Sequence, residues 1–142
     1  MTVANPRSRA RSWALQMLYA WDVSGVDDDL AGFAERALAQ RRISARYRAY
    51  SLELIEALSR QLPAVDAKIR DHLSNWRLER LTAIDRGILR LATAELMVMR
   101  DVPPKVAIHE AIRLAERYGT EESPRFVNGV LDAVARGLAR PD

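Results

Sequence analysis

Through nearly the whole of this chain the apolar residues recur at intervals of three and four, a regularity that restricts the fold more than any other feature. A period near 3.6 describes a helix with one buried face, whereas a half-buried strand needs alternation at every second residue. The spacing predicts an all-α protein of about seven helices, with no convincing strand and no internal repeat.

The ends of the helices carry their own signals. Asn5-Pro6 reads as an N-cap and first-turn pair; Ala10, Ala14, Met17, Leu18 and Trp21 then form one face, and Ser24-Gly25 stops the helix. Asp27, Asp28 and Asp29 complement the start of the next helix, whose stripe is Leu30, Phe33, Ala34, Ala37 and Leu38. Ser44 caps a third helix that ends near Leu62-Pro63, and a short helix with Val65, Ile69 and Leu73 follows. Residues 75–81, NWRLERL, break the pattern and read as a connection between two halves. Thr82 and Asp85 resemble a capping box ahead of a helix running to about Arg100. Pro103-Pro104 opens another, closed by Gly119. A length of 142 residues fits one domain, residues 1–142, divided into helical subdomains at about 5–74 and about 75–140 that share a core.

One stretch sends conflicting signals. In residues 123–132, SPRFVNGVLD, Asn128-Gly129 between apolar residues is a hairpin signature, while Ser123-Pro124 is how a helix begins. Phe126, Val127, Val130, Leu131, Val134 and Leu138 recur at helical intervals across the Asn-Gly pair, and the flanks lack period-2 alternation. A glycine inside a helix costs roughly 1 kcal/mol relative to alanine, too little to break so long a pattern. The reading is a helix, with Gly129 letting a neighbouring helix come close.

Apolar residues make up 49% and charged residues 29% of the chain, so a core can be buried and the composition is not that of a disordered protein. The absence of cysteine excludes a disulfide scaffold, a thiolate metal site and a cysteine nucleophile, and fits a reducing compartment. No apolar run approaches the roughly 20 residues that span a bilayer, and the start of the chain lacks the apolar segment of a secretory signal. A cytoplasmic protein is expected.

Catalysis finds little support. His72 and His109 stand apart, without the spacing of metal ligands, and the glycines are too isolated for a phosphate loop. No enzyme activity, metal or cofactor is expected. The charge is more informative by placement than by its net value of +3. Arg7, Arg9 and Arg11 precede the first acidic residue, Asp22, and a second basic block holds Arg36, Arg41, Arg42, Arg46 and Arg48. Clustered guanidinium groups attract phosphate whatever the net charge. Arg11, Leu15 and Tyr19 share an i, i+4, i+8 face with Gln16 beside it, so phosphate pairing and base stacking by one helix are open to this segment. A solvated helix start with Tyr19 in the core fits the same spacing.

Three segments decide between these readings. RARSWALQMLYAWDVSG, LERLTAIDRGILRLATAELM and DVPPKVAIHEAIRLAERYGTEESPRFVNGVLDAVAR closely resemble the NusB family of transcription antitermination factors. The resemblance covers practically the whole chain, loosening between about residues 26 and 62, and His109 and Pro124 stand where the family often has Asn and His. It implies two small helical bundles sharing one core. It further implies that the chain binds boxA RNA, a single-stranded element, together with NusE, a small-subunit ribosomal protein, and joins the RNA polymerase elongation complex with other Nus factors in antitermination of ribosomal RNA operons. The same domain occurs fused to an RNA cytosine methyltransferase; a chain ending at Asp142 implies the stand-alone factor. Some members are homodimers. A helical protein-interaction module without specific RNA binding is the alternative.

Carried over position by position, the resemblance implies an RNA surface of Arg7, Arg9, Arg11, Gln16 and Tyr19 with Arg125 and Phe126. Ser8 falls where the family often has an arginine. Glu79 and Asp85 would face the protein partner, and Glu122 would restrain RNA affinity by repelling phosphate. Asn128 and Gly129 would hold the last helix close to its neighbours.

Overall fold

The computed structural model describes residues 6–25 and 29–138. Among them are six α-helices: α1 (Pro6–Ser24), α2 (Leu30–Ala39), α3 (Ala45–Arg70), α4 (Ala83–Val98), α5 (Pro104–Tyr118) and α6 (Ser123–Gly137), with a 3-10 turn at Leu78–Arg80 between α3 and α4. Asn5, Asp27 and Asp28, expected at helix starts, lie outside the described residues.

The count is six rather than seven because Pro63 does not end α3. A proline in a helix interior removes one hydrogen bond and costs about 3 kcal/mol. Pro63 is exposed, while Leu58 before it and Val65 and Ile69 after it are fully buried on one stripe. Burying each such side chain contributes roughly 1.5–3 kcal/mol, so the stripe carries the helix through.

Most caps follow the sequence. The Asp29 side chain accepts from the Gly32 N–H, Ser44 from that of Arg46, and Thr82 from that of Asp85 at 3.1 Å. Gly25, at φ +70°, turns the chain beyond α1 in a conformation that other residues rarely adopt. Ser123 differs from expectation: it is the first residue of α6, and its Oγ accepts from the Thr120 N–H at 2.9 Å, bracing the α5–α6 turn. The helix itself runs through Asn128-Gly129, burying Val127, Val130, Leu131 and Val134.

α4 occupies the centre and packs against α1, α3, α5 and α6. Its residues 91–96 are all buried, including Thr93 and Glu95. Gly87 permits the approach of α1, since a Cβ there would stand 3.0 Å from Leu15 Cδ1 and 3.5 Å from Leu18 Cδ2. Gly129 does no such thing, which corrects the expectation: it and Asn128 are exposed, and a Cβ on Gly129 would meet nothing within 4 Å. Gly129→Ala is therefore expected to stabilise the fold by about 0.5–1 kcal/mol, read as a higher urea midpoint at unchanged slope. A lower midpoint would contradict this account of α6.

Candidate nucleic-acid interface

Arg11 departs most from expectation. It is 5% exposed, and its guanidinium is committed inside the protein. Nε donates to both oxygens of Glu95, at 3.0 and 2.9 Å, and Nη1 donates to Glu110 Oε1 at 3.0 Å. Tyr50 Oη also donates to Glu95, and Ser8 Oγ donates to Glu110. The cluster ties α1 to α3, α4 and α5. Burial, and then the hydrogen bond to the Glu95 carboxylate, push the Tyr50 phenol above its usual range. Arg11 is thus shared between two carboxylates and is not presented to a phosphate. The shared face drawn through Arg11, Leu15 and Tyr19 fails because each step of four overshoots a helical turn by about 40°. That drift leaves Arg11 and Leu15 buried and Tyr19 outside.

The solvent side of α1 is a ridge of Arg9, Ser12, Gln16, Tyr19 and Val23. Tyr19 is 42% exposed, so the core alternative for it does not hold. Arg7 lies at the edge of the ridge, with Nη2 2.9 Å from Asp101 Oδ2 and its guanidinium carbon 4.4 Å from the Tyr50 ring centre. This hydrogen bond holds Asp101 below the usual carboxylate range. Both side chains of the pair are solvent-exposed, where screening keeps an ion pair weak.

The two basic blocks, far apart in sequence, meet here. Arg41 lies 5.9 Å from the Trp13 ring centre, and Arg9 and Arg46 lie 5.8 and 6.0 Å from that of Tyr47. Arg48 turns inward and donates to the Ile43 carbonyl, holding the α2–α3 turn in place. On the other flank of the ridge, Ser12 Oγ and Tyr118 Oη are hydrogen-bonded at 2.6 Å. Beyond them an open cleft of about 500 Å³ separates the first turns of α1 from α5.

Arg125 and Phe126 follow in the first turn of α6, Arg125 exposed and Phe126 half-buried against the core. Glu122 is exposed just ahead of α6. Glu79 and Asp85 lie elsewhere, around the α3–α4 connection. Glu79 Oε1 accepts from Arg70 at 2.7 Å, which lowers the carboxyl's pKa. Asp85 is half-buried, and its Oδ1 is buried without a hydrogen-bond partner among the described residues. Aspartate lacks the extra methylene with which glutamate would close a capping box. Trp76, 62% exposed, belongs to the same connection.

Sequence reasoning missed Glu95, Glu110 and Tyr50, which set the rotation of α1 and so decide which of its residues face outward. A signal was present: Glu95 interrupts the apolar run of α4, and a carboxylate there requires a buried cation.

A model of the NusB family matches residues 8–136. The transcription antitermination protein NusB of Sorangium cellulosum (strain So ce56) is 44% identical over 140 residues, covering 96% of each chain. Among solved structures, T. maritima NusB superposes with a TM-score of 0.83 at 36% identity, over 94% of this chain and 93% of that one. A chain from a crystal structure of antitermination factors NusB and NusE in complex with dsRNA superposes with a TM-score of 0.82 at 28% identity, over 95% and 99%.

Proposed function

The chain belongs to the NusB family, and from that membership we propose that it is an RNA-binding transcription antitermination factor, a binding protein and not an enzyme. It takes up boxA-type single-stranded RNA together with NusE. It supports processive transcription of ribosomal RNA operons in an RNA polymerase elongation complex with other Nus factors, in the cytoplasm. The observation that carries the RNA assignment is the α1 ridge, where exposed Arg9 and Tyr19 flank half-buried Gln16 on a helix pinned from beneath by Arg11. Guanidinium groups pair with phosphate, and an exposed ring and amide suit an unpaired base. The relative solved with NusE and double-stranded RNA supports NusE and RNA as the classes of partner.

On this reading Arg9, Gln16, Tyr19, Arg125 and Phe126 contact RNA, Arg7 does so by releasing Asp101, and Arg11 positions the others. Glu79 and Asp85 face NusE, where Arg70 already shields Glu79. Glu122 repels phosphate beside Arg125. The division into subdomains at about 5–74 and about 75–140 belongs to the same proposal.

The test is binding of a labelled boxA RNA, with and without NusE, at two salt concentrations. Selective binding that NusE tightens, with log K falling against log[salt] by about 0.7 per phosphate neutralised, is the expected result. A slope near zero, or no preference over a scrambled RNA, would leave a helical protein-interaction module.

A further inference from the structure

The exposed face of α5 carries Lys105, His109, Arg113 and Arg117, four residues apart throughout. The two arginines line the cleft of about 500 Å³ against Ser8, Arg9 and Ser12 of α1. An adjoining open cleft, also about 500 Å³, continues past Arg113 to Lys105 and His109. We propose that this groove between α1 and α5 is a second wall of the RNA site, in which Arg113 and Arg117 hold phosphates of the strand whose bases lie on the α1 ridge. The inference rests on the RNA reading above and extends it to α5.

Charge and geometry converge on a phosphodiester. Arg113 and Arg117 line the cleft from α5, and Arg9 lines it from α1 with its guanidinium carbon 5.8 Å from the Tyr47 ring centre. Four arginines, Arg9, Arg11, Arg113 and Arg117, line the cleft against two carboxylates: Glu110, which is buried and shares Arg11 with Glu95, and Glu116, which is exposed. Arg113 keeps its side chain 62% exposed, and its ion pair with Glu110 is long at 3.9 Å. Arg117 packs 5.3 Å from the Tyr118 ring centre, which braces the stem near the Ser12–Tyr118 hydrogen bond. Leu114 lines the cleft between the two arginines, an apolar floor against which a sugar or base can rest. Arg113 and Arg117, four residues apart and so about 6 Å from each other along the helix, have a separation close to that of successive phosphates along a single strand.

The experiment compares three proteins for binding to a labelled boxA RNA across a salt series: the wild type, R113A/R117A, and the charge-matched control R60A/R136A, whose arginines are exposed on α3 and α6 away from the cleft. R113A/R117A is expected to bind roughly ten-fold more weakly at low salt, with the slope reduced by about 1.4, at about 0.7 per lost contact. The control should stay within about two-fold of wild type, and all three should share one melting temperature. Equal effects in the double variant and the control would overturn the groove, reducing it to bulk charge. Unchanged RNA binding with weakened NusE association would also overturn it, giving the cleft to the protein partner. Arg9→Ala separates the two levels of argument. If it weakens binding while R113A/R117A does not, the groove alone falls; if the wild type itself shows no salt-sensitive binding, the RNA reading falls and the groove with it.

Discussion

Replacing Arg11 with alanine is expected to destabilise the protein by about 3–5 kcal/mol, because it leaves two buried carboxylates without their cation. Glu95 is 2% exposed and Glu110 8%, so neither can recover its hydration without opening the junction of α1, α4 and α5. For a chain of this length the loss corresponds to a fall in melting temperature of roughly 10 °C or more. Arg11→Lys should recover only part of it, since the guanidinium reaches Glu95 and Glu110 with two separate nitrogens, Nε and Nη1, and an ammonium has only one. Calorimetry provides the check. RNA affinity measured well below the lowered melting temperature should keep the wild-type salt slope. A variant as stable as wild type with a flatter slope would return Arg11 to the RNA surface.

Tyr19→Ala is expected to weaken RNA binding by about 1–3 kcal/mol, the typical worth of one base stacked on an aromatic side chain. In affinity that is roughly 5- to 150-fold. The salt slope should not move, because no phosphate contact is removed. Tyr19 contributes little to the core at 42% exposure, so the melting temperature should change far less than for Arg11→Ala. Tyr19→Phe should keep most of the affinity, as stacking uses the ring. Fluorescence anisotropy on the three proteins at two salt concentrations tests this. A Tyr19→Ala protein that binds like wild type, or one whose slope falls, would remove the ring from the base-stacking position.

Much of the architecture was legible because helix boundaries depend on local chemistry. Asp29, Ser44 and Thr82 cap as their side chains dictate, and residues 75–81 connect two helices as their broken pattern suggests. The exceptions are places where distant packing outweighs a local preference. Pro63 should end a helix, but the stripe from Leu58 to Ile69 is buried on both sides of it. Gly129 reads as a close-packing glycine, yet that role falls to Gly87, whose neighbours come from α1, far away in sequence.

The candidate interface divides along the same line. Clustering of Arg7, Arg9 and Arg11 on one helix is a local fact, as is the helical phase that separates Arg11 from Arg9, Gln16 and Tyr19. What the amino-acid sequence determined by itself was the all-α fold, most helix ends, membership in a family and a basic first helix. Only the tertiary structure decided which face of that helix looks outward. Glu95 and Glu110, more than eighty residues downstream, draw Arg11 into the interior and thereby turn Arg9, Gln16 and Tyr19 to solvent. The same folding brings the Arg41–Arg46 block to one flank and α5 to the other. Periodicity specifies a helix but not its rotation about its own axis, because that angle is set by which partners pack against it.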